Sequence, residues 1–163
     1  REEFSRSSAE TAVLLMMRAL ENDLQRTTPA GISIATGGTK LVVHPMDEAN
    51  SEGEIEYETK GIGWSLDPAN RELTRLEFDG AFSDPARPQR LTDPEISGLI
   101  GSGGKVARRL DKVTLFSIEN PSEVLLPSVG SPLKISLHRE VEGASTRTEV
   151  TMTRMVVVRS GGN

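Results

Sequence analysis

The chain of 163 residues has no cysteine, two histidines, one tryptophan, one tyrosine and four phenylalanines. Each shortage closes a class of function. Without thiols there is no disulfide scaffold, no Cys-type zinc centre and no thiol nucleophile, although reducing and oxidising compartments both tolerate such a chain. Aromatic residues at 4% leave too few stacking platforms for sugar or single-stranded nucleic acid. Lysine and arginine number 19 against 24 acidic residues, a formal charge of −5. Phosphate-backbone affinity comes mainly from Lys and Arg displacing counterions, and no basic cluster stands out, so nucleic acid is excluded as a partner. No run of about 20 apolar residues is present to span a bilayer. The first residue is Arg1 rather than Met, which reads as a processed or truncated product whose targeting segment precedes it.

What is present fits one domain over residues 1–163, since a chain of this size removes roughly 70% of its unfolded surface on folding. From Glu2 to Arg26 there is no Gly or Pro, and Ala, Leu, Met, Glu and Arg dominate, all good helix formers. Ala12, Met16, Leu20 and Leu24 recur every four positions, flanked by Val13 and Met17, which predicts an amphipathic helix within residues 1–28 with one buried face. Ser7 and Glu10 have capping-box spacing, so the helix starts either there or nearer Arg1. Pro29 and Gly31 end it.

After Gly31 the period falls to two. Residues 32–35 and 40–44 flank Gly37-Gly38 as a hairpin. Residues 54–58 alternate as a half-solvated strand. Residues 64–66 and 72–78 form a second hairpin about Asp67-Pro68-Ala69-Asn70. Residues 79–104, with three prolines and five glycines, read as a long loop, of the kind that is usually functional or disordered. Residues 105–110 suggest a helical turn, 113–118 a central strand, and 133–141 and 146–159 two more strands. The expected fold is α+β: a long N-terminal amphipathic helix packed on an antiparallel β-sheet.

Motifs for chemistry fail on inspection. Gly101-Ser102-Gly103-Gly104-Lys105 lacks the first glycine of a phosphate loop, where Leu99 stands, and has Val106 in place of the metal-binding hydroxyl, so it reads as a linker. His44 and His138 lie in unrelated strands, expected exposed, with neither HExxH spacing nor a nucleophile elbow. Asp47, Glu48, Asn50, Glu52 and Glu54 miss calcium-loop spacing and read as a solvated connection. Strand glutamates facing water are the ordinary alternative to a glycosidase pair. Met16 and Met17, at helical spacing with Leu20, read as core rather than as an adaptable binding surface. No catalytic, cofactor or metal residue is therefore assigned, and no enzyme activity is expected.

The segment Leu20-Glu21-Asn22-Asp23-Leu24-Gln25-Arg26, closing a long helix that runs into strands, resembles prepilin-class proteins, the type IV minor pilins and type II secretion pseudopilins. Glu56-Tyr57, Glu72-Leu73-Thr74-Arg75, residues 110–118 and the Val-rich 155–159 follow in the order of that class. The J-type minor pseudopilin is the most similar. The resemblance implies a pilin-like periplasmic domain with an N-terminal helix (1–28) and a β-rich part (31–163). It implies an inner-membrane anchor in an apolar half-helix preceding Arg1. It also implies assembly with other minor pseudopilins at a pseudopilus tip to start the filament and support protein export. About 25 residues of helix make roughly 37 Å of rod, and Val13, Met16, Met17, Leu20 and Leu24 are the residues expected to pack it against the sheet or a partner. The loop 79–104 is a second expected partner surface. The competing expectations are a type IV minor pilin and a periplasmic or extracellular β-rich ligand-binding module with its site in that loop.

Overall fold

The computed structural model describes residues 2–47, 52–119 and 132–158, with only the backbone for residues 2–5. Helix α1 runs Glu2–Leu24. Ser7 lies inside it, its carbonyl accepting from Thr11 Oγ1 at 2.8 Å, so the helix starts before the capping-box pair. It is followed by a single 3-10 turn at Pro29–Gly31. Eight strands and one short helix follow: β1 Ile32–Ile34, β2 Lys40–Val43, β3 Gly61–Asp67, β4 Glu72–Phe78, α2 Asp93–Gly101, β5 Lys105–Leu110, β6 Val113–Glu119, β7 Leu133–Glu142 and β8 Arg147–Val156.

The expectation of one antiparallel sheet under the helix, pilin-like in form, does not hold. Among the described residues there are two antiparallel sheets, five strands in the order β1-β2-β3-β4-β5 and three in the order β6-β7-β8. The division falls at the β5–β6 corner. Lys112 takes φ +61 and Arg71, across from it, φ +53, and the Val113 amide donates to the Arg71 carbonyl at 2.8 Å. That left-handed step turns the chain out of the first sheet, so β6 pairs with β7 instead. Residues 113–118, expected as a central strand, accordingly form the edge of the smaller sheet.

Helix α1 lies across β8, β7 and β5, and a single core joins it to both sheets. Leu41, Trp64, Leu73, Phe116, Ile135 and Leu137 meet Val13, Met17, Leu20 and Leu24 there, all nearly free of solvent.

Two further expectations change. Residues 54–58 form no strand: Tyr57 makes one isolated bridge to Met46, while Ile55 is 45% exposed. The segment 79–104 is no open loop. It crosses the outer face of the five-stranded sheet, where Phe82 and Ile96 bury against Ala35 and Val42. Within it α2 starts at a capping box, Thr92 Oγ1 accepting from the Glu95 amide and Glu95 Oε1 accepting from the Thr92 amide at 3.1 Å.

Glycine decides how closely this layer can sit. A Cβ on Gly63 would stand 2.8 Å from Phe78 Cε2 and one on Gly61 3.1 Å from Phe82 Cε2, because both rings lie on the strand where a side chain would be. Gly63→Val should therefore cost about 1–3 kcal/mol by overpacking. Urea unfolding measures this, and an unchanged midpoint would show that the Phe78 ring moves aside freely.

Candidate functional site

The five residues expected to pack the helix lie together on one face of α1. Val13, Leu20 and Leu24 have no exposed surface, and Met17 and Met16 have 1% and 4%. All five are taken up by the chain's own core. What α1 turns outward is the opposite stripe, Ser8, Thr11, Leu15, Arg18 and Asn22, at alternating three- and four-residue spacing. Leu15, 49% exposed, is its apolar member. A shallow groove of about 350 Å³ runs between the first turns of α1 and β8, with Arg6, Glu10, Leu14, Thr151 and Met152 on its walls.

Near its C-terminal end the helix is locked. Asp23, 3% exposed, sits at the base of the core. Arg75 grips it with two hydrogen bonds, Nε to Oδ2 at 2.7 Å and Nη2 to Oδ1 at 2.9 Å, and Trp64 Nε1 donates to Oδ2 at 2.8 Å. Arg75 also reaches Glu77 at 2.9 Å. The Asp23 hydrogen bonds raise the Arg75 pKa further above its ordinary value, and the bond from Arg75 holds the Glu77 carboxyl below the usual carboxylate range. A bidentate Arg–carboxylate fork fixes orientation as well as distance, so the lock sets the angle at which α1 leaves the sheets. Arg26, one turn on, pairs with Glu58 at 3.1 Å. Asp23, Arg26 and Arg75 are all residues of the segments that carry the prepilin resemblance.

His44, expected exposed at a strand end, is instead fully buried. The Gln89 amide donates to Nδ1 at 3.0 Å, and Nε2 donates to the Glu58 carbonyl at 2.8 Å. The proton therefore sits on Nε2. The ring stacks on Phe82 with centroids 3.8 Å apart. Burial pushes its pKa down, with the Glu58 bond and the charge of Asp84 opposing. With both nitrogens committed, His44 has no lone pair for base catalysis. It latches the 79–92 segment to β2.

His138 lies on the outer face of the three-stranded sheet. Thr151 Oγ1 meets its Nδ1 at 2.5 Å, and Glu140 Oε1 lies 3.3 Å from its Nε2. His138, Glu140 and Glu149 form a group with ligand atoms within 4.8 Å of one another. Arg147 already occupies the centre of that charge, 2.6 Å from Glu140 and 3.3 Å from Glu149, and its hydrogen bond lowers the Glu140 pKa. The arrangement is that of a surface ion-pair net. Of the acidic connection, Asp47, Glu52 and Glu54 are described, while Glu48 and Asn50 lie outside the described residues.

One surface escaped the sequence reading altogether. Residues 105–110, expected as a helical turn, form edge strand β5, on which Lys105, Arg108 and Arg109 are all exposed. A basic cluster therefore exists. The local signal is weak, because a β-bulge opposite Arg75 and Leu76 breaks the alternation between Val106 and Arg108 and hides the strand period. Comparison with known proteins finds no family model, no curated protein and no solved structure that matches the chain.

Proposed function

We propose that the chain is a minor pseudopilin of a type II secretion system. It assembles with other minor pseudopilins at the tip of a pseudopilus, starts the filament and supports protein export, with no reaction of its own. It is the periplasmic domain of a protein anchored in the bacterial inner membrane by apolar sequence preceding Arg1. The observation that carries this reading is α1. A helix of 23 residues comes first in the chain and buries one face in its own core. The Asp23–Arg75 fork holds it near its end, and its outward stripe from Ser8 to Asn22 stays uncovered by any described segment. Such a helix works as a rigid joint: the lock transmits the orientation of the sheets to the rod, and the outward stripe is free to meet a neighbouring helix.

The test is the coding sequence upstream of Arg1. The expected result is about 20 apolar residues with one early glutamate, behind a short basic leader. A cleavable signal peptide or a soluble domain in that place overturns the reading.

A further inference from the structure

We propose that the outer edge of β5 is a docking site for an acidic, extended strand of a neighbouring protein. β5 ends the five-stranded sheet. Lys105 to Arg109 are exposed, Val106 by 39%, while Leu110 turns into the core and α1 passes against part of the strand; among the described residues no further strand pairs with its outer edge. An edge strand in this state offers unpaired backbone N–H and C=O groups to a further strand.

Charge selects the occupant. Lys105, Arg108 and Arg109 make three cations in six residues with no carboxylate among them, in a chain whose net charge is −5. Lys112 follows, and Arg71 lies beside it, its carbonyl bonded to the Val113 amide. These charges are only partly answered at home. Lys105 faces Glu77 across the β4–β5 ladder and helps hold its carboxyl below the usual range, but Glu77 already takes the Arg75 hydrogen bond; Arg109 stands 3.7 Å from Glu72, and Arg108 makes no salt bridge among the described residues. The cations also serve both faces. Arg108 pairs with Arg75 and Arg109 with Thr74 in the β4–β5 ladder, so consecutive arginines point to opposite sides of the sheet.

A second copy is the wrong occupant, because edge-to-edge pairing of two β5 strands would set cation against cation. The same charges favour a strand that carries glutamate or aspartate. Cations on an edge can also serve only to keep it unpaired, and the two roles predict different binding. The outer edge of β5 is distinct from the outward stripe of α1 and does not depend on the helix being the joint.

The probe is an extended peptide of about eight residues alternating glutamate and valine, titrated onto the intact chain and followed by amide hydrogen exchange. The expected result is protection of the amides of residues 105–110 and binding that weakens at least tenfold between about 50 and about 300 mM salt. Arg108→Glu with Arg109→Glu should weaken it at least tenfold more. Arg108→Gln with Arg109→Gln should give an intermediate loss with an unchanged melting temperature, which separates lost charge from lost fold. No binding at low salt overturns the proposal. So does equal binding by the same peptide with a central proline, which keeps the charge but cannot pair. Vesicles containing phosphatidylglycerol that bind where the peptide does not would overturn it in favour of a membrane-facing patch.

Discussion

Replacing Asp23 with alanine should destabilise the chain by about 3–5 kcal/mol, the ordinary loss when one partner of a buried ion pair is removed. The side chain of Arg75 is 12% exposed and that of Asp23 5%. The variant therefore leaves a guanidinium out of water with only Glu77 to answer it, and a Trp64 N–H with no acceptor. Burying such groups unpaired costs more than the pair itself contributes. The companion experiment exploits that asymmetry. Asp23→Leu combined with Arg75→Leu removes both charges and should recover much of the loss, because a buried pair replaced by apolar side chains is often neutral. Urea unfolding of the two single variants and the double variant closes the cycle. A loss under about 1 kcal/mol for Asp23→Ala, within the range of a solvated pair, would show that water reaches the fork. The expected result also bears on assembly: if the fork sets the angle of α1, the Leu/Leu variant keeps its stability and loses the fixed orientation of the rod.

The second large effect concerns His44 and pH. His44→Ala removes a buried ring stacked on Phe82 and leaves the Gln89 amide without its acceptor; together these should cost about 2–4 kcal/mol. In the native residue the same geometry makes stability depend on pH. Folded His44 takes up a proton less readily than the unfolded chain, because burial disfavours the imidazolium and the Gln89 amide already occupies Nδ1. On acidification the unfolded state is protonated first. Stability is therefore complete above the unfolded histidine value of about 6.5 and is lost as pH falls from there towards the lower folded value. For a single proton the slope reaches at most about 1.4 kcal/mol per pH unit. Unfolding midpoints between about pH 7.5 and 5.5, a window above most carboxylate titration, should fall more steeply in the native chain than in His44→Gln. A level midpoint in the native chain would show that the Gln89 strap opens without cost. Asp84, whose charge favours the imidazolium, and Glu58, whose carbonyl does the same, moderate the slope but do not reverse it.

The two locks act at opposite ends of one construction. Asp23 ties the helix to the inner face of the five-stranded sheet, and His44 ties the 79–92 segment to its outer face through Gln89. Ser33 Oγ, accepting from the Leu91 amide at 2.8 Å, and the Tyr57 amide, donating to the Pro85 carbonyl at 2.7 Å, hold the rest of that segment. A long proline-rich stretch that looks like a free loop is thus anchored at several points, with Phe82 and Ile96 buried and most of its other residues still exposed.

By itself the sequence determined what is local. The helix was readable because residues 2–26 contain no breaker and their apolar positions fall on one face. The first two hairpins were readable because Gly37-Gly38 and Asp67-Pro68-Ala69-Asn70 close them; Asp67 Oδ1 accepts from the Ala69 amide at 3.0 Å. α2 was also written locally, in Thr92, Pro94 and Glu95 before Ile96, but the flanking prolines and glycines concealed it. Only the tertiary structure decided the rest, because pairing is non-local. A period of two marks Val113 to Ile118 as a strand without saying which neighbour it joins, and one left-handed residue, Lys112, sends it to a second sheet. Nothing near His44 in sequence announces the Gln89 amide that buries it, 45 residues away. Nor does the apolar stripe of α1 tell whether Val13, Met16, Met17, Leu20 and Leu24 serve the chain or a partner. Amphipathicity identifies a face to be covered, and what covers it depends on where the sheets come to lie.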